Sequence, residues 1–198
     1  MERGRIRHLE AHLERLSRSA AALGASVPWL PAQAGPIRDW VAAFPQGGAQ
    51  ALRLRLHGDQ VWALLEPVPD TPSPYRLAPL PHPQERPHPL APHKGLLGTW
   101  NLDLLREAEA RGADDALLFR PGGVLVETAI AALALEVADA FWLPPLEGRV
   151  ASLAERLEFP EWAGAKPVRT RAFTLDDLSQ GHLWCFNAVR GIWPGTLL

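Results

Sequence analysis

The chain has 198 residues, of which 47% are hydrophobic, so it can bury a real core. Its formal net charge of −2 excludes the basic surface of a nucleic-acid-binding protein. No apolar run is long enough to span a bilayer, and no signal peptide opens the chain. The single cysteine, Cys185, excludes an internal disulfide and fits a reducing compartment, so we expect a cytoplasmic protein that binds neither membranes nor nucleic acid.

The first part of the chain predicts a small α+β domain over residues 1–66. Apolar residues at helical spacing and strictly alternating runs predict two helices and a hairpin. These elements are helices at residues 7–23 and 36–44, a break at residues 46–48, and strands at residues 51–56 and 61–65. The proline-rich residues 67–74 are predicted to form the linker to a larger domain over residues 75–198.

The larger domain is predicted to contain seven strands and two helices. The predicted strands are residues 75–80, 116–119, 124–127, 129–136, 141–143, 167–173 and 182–186, and the predicted helices are residues 100–111 and 151–157. Pro79 has no amide to donate, so the first of these strands is expected at a sheet edge. The histidine-rich residues 82–92 match no zinc spacing, so we expect a loop there and no metal site.

A lysine and a glutamate stand out because they flank one helix and one hairpin of the larger domain. Taken singly, Lys94 is an ordinary surface lysine and Glu127 an ordinary carboxylate at the end of a strand. Five motifs change this interpretation: H-L-E-R-L-S-R-S-A, H-K-G-L-L, R-G-A-D-D-A-L-L-F, G-G-V-L-V-E-T-A and F-N-A-V-R-G-I-W-P. In this order they resemble the class IV aminotransferases, the fold-type IV pyridoxal-phosphate enzymes, over nearly the whole chain.

The resemblance implies a pyridoxal 5′-phosphate cofactor held between these two residues. Lys94 would carry the cofactor as a Schiff base, and its amine must lose a proton to react. Glu127 would keep the pyridine nitrogen protonated, so that the ring can accept electrons from a substrate carbanion. We therefore expect Lys94 to be catalytic and cofactor-binding, and Glu127 to be cofactor-binding.

The resemblance also predicts residues that lie at the cofactor phosphate, namely Arg15, Gly148, Arg149, Val150, Asn187 and Ala188. A guanidinium such as that of Arg15 can bind two phosphate oxygens at once. Residues 148–150 are expected to offer backbone amides, because a turn at a helix start suits an anion whatever its side chains are. Asn187 taken alone is equally typical of a turn at a strand end.

The architecture implied is an α/β protein of two domains: a small α+β domain, then a larger domain with a curved, barrel-like sheet and packed helices. The active site is expected in the cleft between them, and a homodimer is expected to complete each site. The predicted function is that of a lyase similar to aminodeoxychorismate lyase, which releases p-aminobenzoate and pyruvate from a small-molecule amino substrate by β-elimination. The Asn187-Ala188 ending favours this branch. An aminotransferase of the branched-chain or D-amino acid type, or a non-catalytic member of the fold, stays open.

Two features depart from the family pattern. The family begins with a strand and a G-D-G-x-F-E-T motif before the first helix, whereas this sequence starts inside that region. We therefore expect either a short form or a natural start upstream of Met1. The asparagine that often follows the glutamate is replaced by Ala132, which bears on whether the protein is active.

Overall fold

The computed structural model describes residues 6–44, 48–84, 86, 88–94 and 100–198. Four sequence features named above therefore lie outside it in part: the start of the chain, residues 46–47 of the predicted break, residues 85 and 87 of the histidine-rich loop, and residues 95–97 of the lysine motif. The chain divides into two compact units, Met1–Asp70 and Thr71–Leu198. The point of division falls within the predicted linker.

The smaller unit contains two helices and a hairpin. Its elements are α1 (Leu9–Ala22), a 3₁₀ turn (Leu30–Gln33), α2 (Ala34–Ala42), β1 (Gln50–His57) and β2 (Gln60–Pro67). Leu9 and Leu13 of α1 pack with Leu30, Ile37 and Val41 in a core that belongs to this unit. The two strands pair antiparallel, and their inward side chains are partly buried against the same core. The helical spacing of the leucines thus marks the buried face of α1.

The larger unit is built on one mixed β-sheet. Among the described residues its strands are β3 (Tyr75–Pro81), β4 (Asp115–Arg120), β5 (Val124–Thr128), β6 (Ala132–Val137), β7 (Ala140–Leu143), β8 (Val168–Thr170), β9 (His182–Asn187) and β10 (Gly191–Leu197). Its helices are α3 (Asn101–Ala110), α4 (Leu153–Leu157) and α5 (Phe159–Ala163). The strand order is β5-β4-β3-β10-β9-β6-β7-β8. β3 runs parallel to both of its neighbours, which places the helix-bearing connection from β3 to β4 across the sheet.

The sheet is curled, and the chain beyond one of its end strands reaches the strand at the other end. β5 is the strand at one end of the sheet, and β8 is the strand at the other end. The chain that follows β8 returns to β5, where Thr174 forms a β-bridge with Val124. The amide of Leu125 donates to the carbonyl of Phe173 (2.9 Å), and the amide of Leu175 donates to Gly123 (3.1 Å). The predicted curved, barrel-like sheet with packed helices is therefore confirmed.

The helices cover the sheet through buried side chains. On α3, Leu104 and Ala108 pack with Leu118 of β4 in one apolar cluster. On α5, the ring of Phe159 stacks on Phe186 of β9 with centroids 4.6 Å apart. Burial of this size stabilises by about 1.5–3 kcal/mol for each large side chain, so these contacts fix the helices against the strands.

The prediction that the first strand of the larger domain lies at a sheet edge is wrong, because β3 lies between β10 and β4. β10 pairs with β3 only over Tyr75–Leu77. Pro79 lies beyond that stretch and pairs with Leu117 of β4 on the other side. The proline is tolerated because the ladder toward β10 has already ended at its position.

The apolar run that follows β5 is also not one continuous strand. β5 extends to Thr128 and β6 begins at Ala132, so residues 129–131 form a corner. The hydroxyl of Thr128 accepts hydrogen bonds from the amides of Ile130 (3.3 Å) and Ala131 (2.8 Å), which closes the corner. The run contains neither glycine nor proline, so its hydrophobic pattern carries no turn signal.

Candidate active site

The larger unit brings the predicted lysine and glutamate within electrostatic reach of each other. Glu127 lies on β5 opposite Leu118 of β4, where the register of the two strands shifts between Leu118 and Phe119. An irregularity of this kind bends the strand and redirects its side chains. Lys94 lies on the loop that precedes α3, with its side chain exposed. The positive charge of Lys94 lowers the pKa of Glu127, so the two groups act on one another.

The carboxyl group of Glu127 lies in a partly buried and mainly positive environment. Burial raises its pKa to about 7, because the charged form is poorly solvated. Arg149, Lys94 and Arg120 oppose that rise, in this order, while the negative charge of Glu155 adds to it. Glu127 therefore changes its charge near neutral pH and responds to any further positive group placed against it.

Arg149 is buried, with 2% of its surface exposed, and its side chain forms hydrogen bonds inside the protein. It donates to both carboxylate oxygens of Glu155, at 2.6 and 2.8 Å. It also donates to the carbonyls of Pro145 (3.1 Å) and Pro144 (2.8 Å), which ties the turn to α4. Val150 follows, half-buried, and α4 begins only three residues later. The guanidinium of Arg149 is thus taken up by Glu155 and the two prolines, and the phosphate role of this residue stays a prediction.

The turn that contains Gly148 is fixed from inside and from β4. Gly148 is buried with φ of 75°, a conformation that favours glycine. The amide of Arg149 donates to the carbonyl of Leu146 (3.2 Å) within the turn. From the end of β4, Arg120 donates to the carbonyls of Glu147 (3.2 Å) and Gly148 (3.3 Å). The turn is therefore preformed, as an anion-binding turn needs to be.

Asn187 shapes the turn between β9 and β10. Its side-chain oxygen accepts hydrogen bonds from the amides of Val189 (2.9 Å) and Arg190 (2.8 Å). Its side-chain nitrogen donates to the carbonyl of Ile130 (3.2 Å) in the corner after β5. Ala188 is half-buried in the same turn. The turn interpretation of Asn187 is thus seen directly, and its role at the phosphate stays a prediction.

Arg15 and Ala132 belong to different units of the chain. Arg15 is half-buried on α1 of the smaller unit, with its terminal nitrogen 3.5 Å from Nδ1 of His12. Ala132 is buried at the start of β6 in the larger unit, where it pairs with Phe186. The phosphate role of Arg15 stays a prediction. A methyl group at position 132 brings no hydrogen-bonding side chain to the corner.

A buried polar network surrounds Asp115, and none of the predicted site residues belongs to it. This residue is fully buried at the start of β4 and accepts hydrogen bonds from the hydroxyl of Tyr75 (3.2 Å) and the amide of Ala129 (3.2 Å). Burial raises the pKa of Asp115 to about 6, and hydrogen bonds, led by that from Thr128, oppose the rise. Arg190 lies 3.4 Å from the same tyrosine hydroxyl. The only sequence signal was the second aspartate of the motif R-G-A-D-D-A-L-L-F, which reads as a helix-end residue.

Two further properties concern only the part of the chain that the structure describes. No helix there is long and apolar enough to cross a membrane. No group of three or more histidine, cysteine, aspartate or glutamate residues in those ranges is arranged to hold a metal ion.

Comparisons with known proteins agree with the fold described above. The family described as amino-transferase class IV matches residues 1–198. Among solved structures, a candidate 4-amino-4-deoxychorismate lyase is 28% identical, with a TM-score of 0.81 over 98% of this chain and 80% of that one. A fold IV transaminase from Curtobacterium pusillum is 25% identical, with a TM-score of 0.81 over 98% and 75% of the two chains. No curated protein matches at significant sequence similarity.

A structure with bound cofactor is also similar. The PLP-bound form of a hypothetical aminotransferase from Mycobacterium tuberculosis is 22% identical, with a TM-score of 0.77 over 98% of this chain and 77% of that one. At this identity the likeness concerns the fold, and the match to the family over the full sequence carries the assignment. The chain therefore belongs to the class IV aminotransferase family, whose members are pyridoxal-phosphate enzymes, as its five motifs predicted.

Proposed function

We propose that this protein is a pyridoxal-phosphate-dependent lyase that converts 4-amino-4-deoxychorismate to p-aminobenzoate and pyruvate. The observation that carries the proposal is the electrostatic pairing of Lys94 with the partly buried carboxyl group of Glu127. An amine and a carboxyl group in one site are the two side chains that this cofactor requires.

The described residues fit the cofactor at its reactive end and at its ring. The amine of Lys94 would hold the cofactor through its aldehyde carbon, and the carboxyl group of Glu127 would hold the pyridine nitrogen. When bound, the cofactor stabilises the negative charge that develops on the substrate carbon. A protonated ring nitrogen would add a positive charge beside Glu127, which favours the ionised carboxylate and so strengthens the contact.

At the phosphate end the proposal retains all six predicted residues, namely Arg15, Gly148, Arg149, Val150, Asn187 and Ala188. The buried glycine with positive φ and the preformed turn support the backbone amides of Gly148 and Val150 as donors. The amide of Arg149 already donates to Leu146, so this residue contributes by holding the turn. The guanidinium of Arg149 is not offered to the phosphate, because four of its hydrogen bonds are made to Glu155 and the two prolines.

The proposed chemistry uses Lys94 as the base. Its amine takes the proton from the substrate carbon that bears the amino group. The bond from the ring to the enolpyruvyl oxygen then breaks, the ring becomes aromatic as p-aminobenzoate, and the released enol takes up a proton to become pyruvate. Glu127 would keep the pyridine nitrogen of the cofactor protonated throughout. Glu127→Gln should therefore leave the cofactor bound to Lys94 but reduce turnover strongly. Activity within a few-fold of wild type would remove Glu127 from this role.

Two features support the lyase branch over the aminotransferase branch. The Asn187-Ala188 ending resembles that of the lyase branch, and the candidate lyase is 28% identical, against 25% for the fold IV transaminase. An aminotransferase would instead release a keto acid and retain the amino group for a second substrate. Release of p-aminobenzoate should be measured beside a panel of amino donors with a keto-acid acceptor. Keto-acid formation without p-aminobenzoate would replace the lyase by the aminotransferase.

A non-catalytic homologue is the second alternative, and Ala132 is the residue that favours it. Purified protein should show visible absorbance from the bound cofactor, which borohydride should bleach with covalent retention and which Lys94→Ala should abolish. A colourless protein that takes up no added pyridoxal phosphate would refute the enzyme proposal.

We place the domains at residues 1–66 and 75–198, joined by residues 67–74, in a cytoplasmic homodimer. Large apolar side chains are exposed in each unit of the single chain, for example Trp62 at 63% and Trp162 at 42%, as expected of surfaces that a second subunit covers. Light scattering on the purified protein tests the dimer, and a monomer at micromolar concentration would contradict it.

A further inference from the structure

The turn that contains Gly148 is held by one arginine at two neighbouring carbonyls. Nη1 of Arg120 donates to the carbonyl of Glu147 at 3.2 Å, and Nη2 donates to the carbonyl of Gly148 at 3.3 Å. These carbonyls belong to the two peptide groups on either side of Gly148, where φ is 75°. A guanidinium is planar and rigid, so one side chain fixes the orientation of both peptide planes that meet at this glycine.

The orientation of a peptide plane decides where its amide points. In a trans peptide group the carbonyl and the N–H point in opposite directions. The carbonyl of Glu147 shares its peptide group with the amide of Gly148, so Arg120 directs that amide away from itself. A charged donor at the carbonyl also polarises the peptide group, which strengthens its N–H as a donor. The next amide, that of Arg149, is used inside the turn, where it donates to Leu146.

Arg120 is itself fixed by the pair of strands that carries Glu127. It is the last residue of β4, and it pairs with Val124 at the start of β5. Arg120 is half-buried, and its Nε atom is enclosed by the protein. The turn is therefore attached to the same two strands that present the carboxyl group of Glu127.

We propose that Arg120 is a positioning residue for the cofactor phosphate, and that it acts by directing the amide of Gly148 toward the anion. The inference rests on the proposed function for the place of the phosphate, and it names the side chain that keeps the turn ready to bind. Because Arg120 belongs to β4, it also fixes the phosphate end of the site relative to the strand that carries Glu127.

The test observes the peptide group between Glu147 and Gly148 in cofactor-free, full-length protein by NMR. This is the only Glu-Gly pair in the sequence, so cell-free synthesis with carbonyl-¹³C glutamate and ¹⁵N glycine marks this one peptide group. Arg120→Met should shift the carbonyl signal, because its hydrogen bond is lost. Titration with inorganic phosphate should shift the amide signal of the wild type. Arg120→Met should weaken this binding roughly tenfold, as for the loss of a hydrogen bond to a charged group.

Arg120→Lys separates orientation from charge, and it also serves if Arg120→Met does not fold. It keeps the positive charge, but an ammonium group lacks the planar fork that binds the two carbonyls. Phosphate binding should therefore stay clearly weaker than in the wild type. Arg111→Met is the matched control, because it removes the same charge from an exposed position after α3, where Arg111 pairs with Glu107 at 2.6 Å. It should leave the phosphate titration unchanged.

The same variants are then compared with pyridoxal 5′-phosphate and with pyridoxal, which lacks the phosphate. Equilibrium dialysis of Arg120→Met should show a roughly tenfold loss of affinity for the first compound and none for the second. Equal losses for the two compounds would overturn the proposal, because Arg120 would then support the fold or the ring. Three NMR results would also overturn it: a wild-type Gly148 amide that does not respond to phosphate, undiminished phosphate binding by Arg120→Met, or full recovery in Arg120→Lys.

These outcomes can be told apart from failure of the proposed function. A wild-type protein that releases p-aminobenzoate while its Gly148 amide does not respond to phosphate retains the lyase and refutes the role of Arg120. A protein that takes up no pyridoxal phosphate, yet shows an amide shift with inorganic phosphate that depends on Arg120, refutes the enzyme. It retains an anion-binding turn that Arg120 orients.

Discussion

Substitution of Glu127 by glutamine should stabilise the cofactor-free protein at alkaline pH. Burial raises the pKa of Glu127 from 4.5 to about 7 in the folded state. The folded protein therefore binds a proton that the unfolded chain has already released, and stability falls as pH rises through the window from 4.5 to 7. A shift of this size corresponds to roughly 3 kcal/mol above pH 8, at about 1.4 kcal/mol per unit. Glutamine has nearly the same shape and carries no charge, so it avoids this loss.

The assay is urea unfolding of the cofactor-free wild type and Glu127→Gln at pH 5 and pH 8. The advantage of the glutamine variant should grow by roughly 2.5 kcal/mol between the two pH values. Glu147→Gln is the control, because Glu147 is an exposed residue on the turn next to Gly148. Its substitution should change the free energy of unfolding equally at pH 5 and pH 8. Parallel pH dependences for wild type and Glu127→Gln would refute the reasoning. Greater stability together with lost turnover is the signature of a residue retained for function.

Three further predictions concern other parts of the chain. Arg15→Ala should lower cofactor affinity roughly ten- to a hundredfold, because a bidentate contact worth about 1.5–3 kcal/mol is lost, and Arg15→Lys should recover only part of it. Unchanged affinity of Arg15→Ala in equilibrium dialysis would count against the phosphate role. Arg149→Met should reduce the free energy of unfolding by about 3–5 kcal/mol, because it leaves Glu155 unpaired, and adding Glu155→Leu should recover most of this loss. A small loss for Arg149→Met in urea unfolding would mean that the ion pair contributes little. Cys185 is buried and burial raises its pKa, so a thiol reagent should label it only after unfolding, and rapid labelling of native protein would contradict its placement.

The sequence predicts the elements around the site well, because their boundaries carry local signals. The strand that contains Glu127 follows a Pro-Gly-Gly turn, and the helix after Lys94 ends at Gly112, so both can be read from neighbouring residues alone. The ends of these two elements agree with the prediction to within one residue. The family resemblance supplied what periodicity could not, namely that these elements form one site.

Other features depend on contacts between residues far apart in sequence. β10 was not predicted, because Pro194 and Gly195 interrupt its pattern, yet it pairs with β9 and β3 in the middle of the sheet. Asn101 and Asp115 look like helix-end residues until the corner after β5 is seen to bond to both. The buried pairing of Arg149 with Glu155 leaves no mark in either residue type, since a charged side chain at that spacing is usually solvated.

The return of the chain to Val124 also protects the glutamate strand from other molecules. A strand at the end of a sheet offers unpaired amides and carbonyls, on which a second chain can add itself as a further strand. β5 ends the strand order, but residues 173–175 occupy the outer edge of its first residues. Strand exchange and aggregation through this edge must first displace that segment, whose Phe173 is buried in the sheet core. The first residues of the strand that carries Glu127 are thereby closed to strand addition by a neighbouring chain.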